Sequence, residues 1–171
     1  MELGYRLHLL SPDSSDAAQW LPGEGFQLRA GKVFGETFMV DGYAEWVRHY
    51  WRGDFGYTDA QFLEVGLVAR QQIRISSLRV LMGAGAGINR QQVHVADSYA
   101  SLSPDSSLKR WGGAVNLTLG ACLPIWSTVR GCAHFDPKVL IRVEKGQART
   151  SYIFPIGLSL RYEYLVGTTS E

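Results

Sequence analysis

Between residues 152 and 166 the chain reads YIFPIGLSLRYEYLV, and from Phe154 every second residue is apolar or aromatic: Phe154, Ile156, Leu158, Leu160, Tyr162, Tyr164 and Val166. The alternate register carries Pro155, Gly157, Ser159, Arg161 and Glu163. A period of two belongs to a strand, whose successive side chains leave on opposite faces. One face must meet something apolar, and the other must meet water or paired partners. Whether the apolar face meets a protein core or a lipid bilayer decides the architecture.

The same alternation recurs along the chain, dividing it into about eight segments. Residues 3–10 set Leu3, Tyr5, Leu7 and Leu9 against Gly4, Arg6 and His8; residues 25–34 set Phe26, Leu28 and Ala30 against Gln27, Arg29 and Gly31. Residues 37–51, 62–74, 78–94, 110–123 and 129–143 repeat the pattern before the closing segment at 152–166. The connections alternate in length. SPDSSDAAQWLPGE, RGDFGYTDA, ADSYASLSPDSSL and EKGQART are long and rich in turn formers, whereas Gly35-Glu36, Ser76-Ser77 and PIWS are tight turns.

At 171 residues, with 46% hydrophobic and 19% charged side chains, the chain reads as one domain spanning residues 1–171 and not as a disordered segment. A formal charge of +1 supplies no electrostatic reason for nucleic-acid binding. No apolar run approaches the roughly 20 residues of a transmembrane helix. No secretion signal precedes Leu3, so export implies that the sequence is a mature form.

Three features favour lipid over a core. The long and short connections alternate as they do in outer-membrane barrels. The polar register mixes charge with many glycines, which a solvated face does not need but a narrow lumen filled by large side chains does. The polar exceptions on the oily register, Lys32, Arg48, Gln71 and Arg90, fall near segment ends, where a charge costs about 0 to 1 kcal/mol instead of about 2 to 4 at the bilayer midplane.

The pattern resembles the small eight-stranded outer-membrane barrel proteins of Gram-negative bacteria over nearly the whole chain. The resemblance implies an all-β fold, an eight-stranded antiparallel up-and-down transmembrane β-barrel with short periplasmic turns and longer extracellular loops. It also implies a bacterial outer-membrane location. In the closing segment Gly157, Leu160, Tyr162 and Tyr164 look like the glycine-hydrophobic-aromatic spacing read by the barrel assembly machinery of that membrane, although here the chain continues through LVGTTSE.

The inward register is expected to hold a charge network of Arg6, Arg29, Asp41, Glu45, Glu64, Arg70, Arg79, Arg130, Asp136, Lys138, Arg161 and Glu163, together with Glu2 and Arg142. Eight strands leave an interior that side chains just fill, so the lumen is expected to be closed. His8, His49 and His134 share that register as hydrogen-bonding members. Cys122 and Cys132 lie symmetrically about Ser127 on the same register of adjacent strands, which suits a disulfide; the alternative is two small thiols filling a narrow lumen.

Other motifs carry less. GAGAG at 83–87 precedes INRQQVHVAD, which is no amphipathic helix, so a dinucleotide site is not indicated. Arg52-Gly53-Asp54 and the two SPDSS segments, 11–15 and 103–107, read as turn chemistry. His94 and Ser98 are four residues apart with no positioned acid, a weak basis for lipid-directed catalysis. No metal site or cofactor is expected. The leading reading is a structural or interaction protein whose partners are outer-membrane lipid, the assembly machinery during insertion, and a protein or cell surface at the outer loops. A lipid-modifying enzyme and a soluble lipocalin-like barrel holding an apolar ligand are the alternatives.

Overall fold

A computed structural model describes residues 1–10, 21–53, 56–94, 107–144 and 147–163. They form strands β1 (Glu2–Leu10), β2 (Gly23–Phe34), β3 (Phe38–Gly53), β4 (Gly56–Ile75), β5 (Leu78–His94), β6 (Ser107–Pro124), β7 (Val129–Phe135), β8 (Lys138–Glu144) and β9 (Gln147–Tyr162). Each pairs antiparallel with its neighbour, and β1 pairs with β9 from Glu2↔Arg161 to Leu10↔Ile153, so the sheet closes on itself. The fold is a closed, eight-stranded antiparallel barrel.

Nine strands make eight staves because β7 and β8 are one stave. The sequence reads 129–143 as a single strand; the ladder is interrupted at Asp136-Pro137 because proline has no N–H to donate. The register passes through unchanged, since Phe135 pairs with Ile156 and Lys138 with Ile153. The free carbonyl of Pro137 still accepts from Leu117 N at 3.0 Å, and Asp136 N donates to Pro155 O at 2.9 Å.

Two connections read from the sequence as loops are largely paired strand. β3 and β4 zip as far as Gly53↔Gly56, and β8 and β9 as far as Glu144↔Gln147. Their turn formers sit within hairpins that rise beyond the apolar belt, where a polar residue pairs in a ladder without cost to its solvation. Ser107 is the first residue of β6; Asp54, Ser98, Tyr164 and the rest of both SPDSS segments lie outside the described residues.

At the opposite end the turns are tight. Gly35 adopts φ 63° between Phe34 and Phe38, and Ser76 adopts φ 56° between the paired Ile75 and Leu78. The positive φ is free of steric cost for glycine and strained for serine. Met1 joins this end, donating its terminal ammonium to Tyr162 O at 2.9 Å.

The barrel is apolar outside and polar inside. Leu158 is 69% exposed, Leu67 64% and Leu117 58%, whereas Glu64 is 0% and Arg161 6% exposed. A soluble barrel would show the reverse.

Candidate functional site: the enclosed lumen

Among the described buried residues are five cations, Arg6, Arg29, Arg70, Lys138 and Arg161, and five carboxylates, Glu2, Asp41, Glu45, Glu64 and Asp136, so the interior charge balances. The ladder explains the pairing. Glu45 and Glu64 stand directly opposite on β3 and β4, a repulsive arrangement by itself. Lys138 reaches both, with Nζ 2.6 Å from Glu45 Oε1 and 3.1 Å from Glu64 Oε1, and the Tyr43 hydroxyl donates to Glu64 at 2.5 Å.

Arg6 and Arg29 share Asp136, each at 2.7 Å. Gln27 joins the two groups. Its amide oxygen accepts from Arg6 and from Arg29 Nε, and its amide nitrogen donates to Glu45 Oε2 at 2.5 Å. His8 Nε2 lies 2.9 Å from Glu45 Oε1. A second group is centred on Arg70, which bonds Asp41 at 2.6 Å and Glu2 at 3.3 Å. Buried charges are tolerable only when paired and hydrogen-bonded in this way.

The remaining expected members sit at the rim beside the tight turns. Glu163 accepts from Arg79 at 2.8 Å and Arg130 at 3.1 Å, and lies 3.4 Å from Arg161. Arg142 lies towards the opposite end, donating to Gln91 at 2.6 Å and Ser151 at 2.8 Å.

Glycines on the wall make room for these long side chains. A Cβ on Gly157 would lie 2.6 Å from Arg6 Cδ; one on Gly66 or Gly87 would meet Tyr43 at 2.8 or 2.7 Å. On the wall formed by β5 and β6, Asn89, Asn116 and Thr118 are buried with side-chain polar atoms that find no protein partner among the described residues, so they require water.

Apart from Cys122 and Cys132, sequence reasoning missed the apolar residues that also point inward. Val47, Phe62, Ala114, Leu140 and Ile153 form a buried cluster towards the long-hairpin end, and Met39, Leu81, Cys122 and Cys132 form another towards the tight turns. The group around Lys138 therefore lies between the two clusters, whereas Arg79, Arg130, Arg161 and Glu163 continue beside and beyond the second one to the rim. The signal was in the register, since each residue of the two clusters has the parity of the polar face. The second cluster contains the Cys122–Cys132 disulfide, which links directly opposed residues of β6 and β7 with Cα atoms 4.1 Å apart.

One cluster has the residue types of a hydrolase. His134 Nε2 lies 2.9 Å from both Ser159 Oγ and Glu2 Oε1, and Ser159 Oγ donates to Glu2 at 3.0 Å. Nucleophilic activation needs the acid on the ring nitrogen that does not face the serine. Here both contacts fall on one nitrogen, inside a filled barrel, so the cluster works as a hydrogen-bonded crosslink between β1, β7 and β9. Of the expected closing-strand residues, Gly157, Leu160 and Tyr162 lie on β9, with Gly157 inward and the other two outward. His94 is the last residue of β5.

Neither a family model nor a curated protein matches the sequence. Solved structures match the backbone. Neisserial surface protein A (NspA) superposes with a TM-score of 0.66 at 11% identity, covering 95% of each chain. Ail, the attachment invasion locus protein of Yersinia pestis, gives 0.57 at 14% identity and 95% of each chain. The outer membrane enzyme PagL gives 0.59 at 12% identity, over 96% of this chain and 100% of its own. The fold is that of the small outer-membrane β-barrels. Because these barrels include an enzyme as well as a surface protein and an attachment protein, the shared backbone does not assign an activity.

Proposed function

We propose that this barrel, a single domain spanning residues 1–171, resides in a bacterial outer membrane as a structural or interaction protein. It works through its outer hairpins and its lipid-facing wall and does not conduct. The observation that carries this reading is the inside-out burial, with oily side chains turned outward around a neutral, paired interior. An open pore requires a continuous wetted path, and here the interior is filled by side chains, with Arg6, Arg29, Arg70, Lys138, Glu45 and Glu64 all fully buried. The twelve-residue charge network then acts as a scaffold that holds the wall at fixed diameter. Gly157, Leu160, Tyr162 and Tyr164 serve the assembly machinery during insertion. Ail, a barrel of this fold, forms a complex with the heparin analogue sucrose octasulfate, and a protein or cell-surface partner at the outer hairpins of this chain fits that precedent.

The test is reconstitution of the full chain into phosphatidylcholine vesicles and planar bilayers. Heat-modifiable gel migration without stepwise conductance is expected. Stable conductance steps would refute the closed lumen, and a chain that stays monodisperse in buffer without detergent would refute the membrane reading.

A further inference from the structure

The outward face of the barrel has a boundary that can be followed stave by stave. One cross-strand row, Leu28↔Ala44↔Val65↔Ile88↔Gly113, is wholly apolar or glycine. The next towards the long hairpins, Phe26↔Trp46↔Leu63↔Arg90↔Trp111, introduces aromatic rings and one cation. The row after that, Glu24↔Arg48↔Gln61↔Gln92↔Lys109, is polar throughout. Apolar, aromatic and polar rows in that order mark where hydrocarbon gives way to headgroups.

The charges in these rows are not balanced as they are inside. Glu24 accepts from the Tyr5 hydroxyl at 3.0 Å. Arg48 is satisfied by Asp59, at 2.7 Å through Nε and 2.6 Å through Nη2, and its guanidinium lies 5.0 Å from the Tyr50 ring centre. Arg90 has its guanidinium 5.8 Å from the Trp111 ring centre and, like Lys109, forms no ion pair among the described residues. Two cations without an ion-pair partner among the described residues thus stand beside the amides of Gln61 and Gln92, on a wall otherwise fitted to lipid.

We infer that Arg90 and Lys109, with Gln61 and Gln92 as neutral donors, bind the phosphate of a phosphorylated glycolipid headgroup in the outer leaflet. The inference rests on the membrane reading above and gives it a specific lipid partner. Trp111 presents a flat apolar surface on which the acyl-sugar junction can rest, while Arg90 presents charge-assisted donors to the phosphate. A soluble anion would have no use for the apolar rows beneath, so the lipid is the source to which this surface commits. Lys32 is a control. It is an outward cation towards the tight-turn end of β2, lying 5.6 Å from the Phe34 ring centre, far along the strand from the polar row.

The test uses the full chain in phosphatidylcholine nanodiscs containing diphosphoryl lipid A, with retained lipid counted by native mass spectrometry. Wild type is expected to retain lipid A over phosphatidylcholine, and enzymatically dephosphorylated lipid A is expected to lose that preference. Arg90→Gln and Lys109→Gln are each expected to weaken retention about fivefold, as for one cation at an anionic surface, with Lys32→Gln unchanged. Equal retention of the dephosphorylated lipid, or an unaffected double variant, would overturn the site. Competition by millimolar inorganic phosphate would overturn the lipid as its ligand. Heat-modifiable migration in phosphatidylcholine alone separates these failures from failure of the barrel reading, because it does not require lipid A.

Discussion

Leu67→Arg tests the inside-out arrangement most directly. Leu67 lies on β4 among outward residues running from Leu63 to Ile73. At about 3.3 Å per residue and a strand tilt of about 40°, that run rises about 25 Å, the height of a barrel's apolar band. Leu67 then lies about 10 Å below its outer edge, close to the midplane. An arginine there is expected to cost about 2 to 4 kcal/mol, whereas Gln61→Arg, on the same face at the polar row, is expected to cost about 0 to 1 kcal/mol. Denaturant unfolding in phosphatidylcholine vesicles, followed by tryptophan fluorescence, measures both on one strand with one chemistry. Equal costs at the two positions, or a neutral Leu67→Arg, would refute the assignment of this face to hydrocarbon.

Three further outcomes follow from the interior. Lys138→Met leaves Glu45 and Glu64 opposed without their shared cation and is expected to lower unfolding stability by about 3 to 5 kcal/mol, with part of the loss recovered when Glu64→Gln is added; a double-mutant cycle in the vesicle assay checks it. Reduction of Cys122–Cys132, which closes a sequence separation of 10 residues, is expected to cost about 2 to 3 kcal/mol. The midpoint of the Cys122→Ser/Cys132→Ser variant should then be the same with and without reductant. Gly157→Val is expected to abolish the heat-modifiable band, because its Cβ would meet the Tyr5 carbonyl oxygen at 2.6 Å. Gly42→Ala, whose nearest neighbour would be 3.8 Å away, is expected to refold like wild type.

Much of the barrel was legible in one dimension because alternation is local. Cys122 and Cys132 could be placed opposite one another because the tight turn between them sets the register, and the ladder pairs them directly. The lengths of the outer hairpins were harder to read. Residues 52–60 and 144–150 have turn composition, yet β3–β4 and β8–β9 continue through most of them, because a strand above the membrane needs no apolar face. The oily clusters around Leu81 and Phe62 were overlooked for a related reason. Parity says that a residue points inward, but its height within the lumen depends on the stagger of all eight staves.

Period and turn chemistry were enough to establish strands, their order and which side chains share a face, since each of these depends on residues close together in the chain. The partners inside were decided only when the sheet closed. Lys138 meets Glu45 and Glu64 across 93 and 74 residues of sequence, and whether a charge is paired or left facing the lipid boundary, as Arg90 is, depends on contacts that no local pattern encodes.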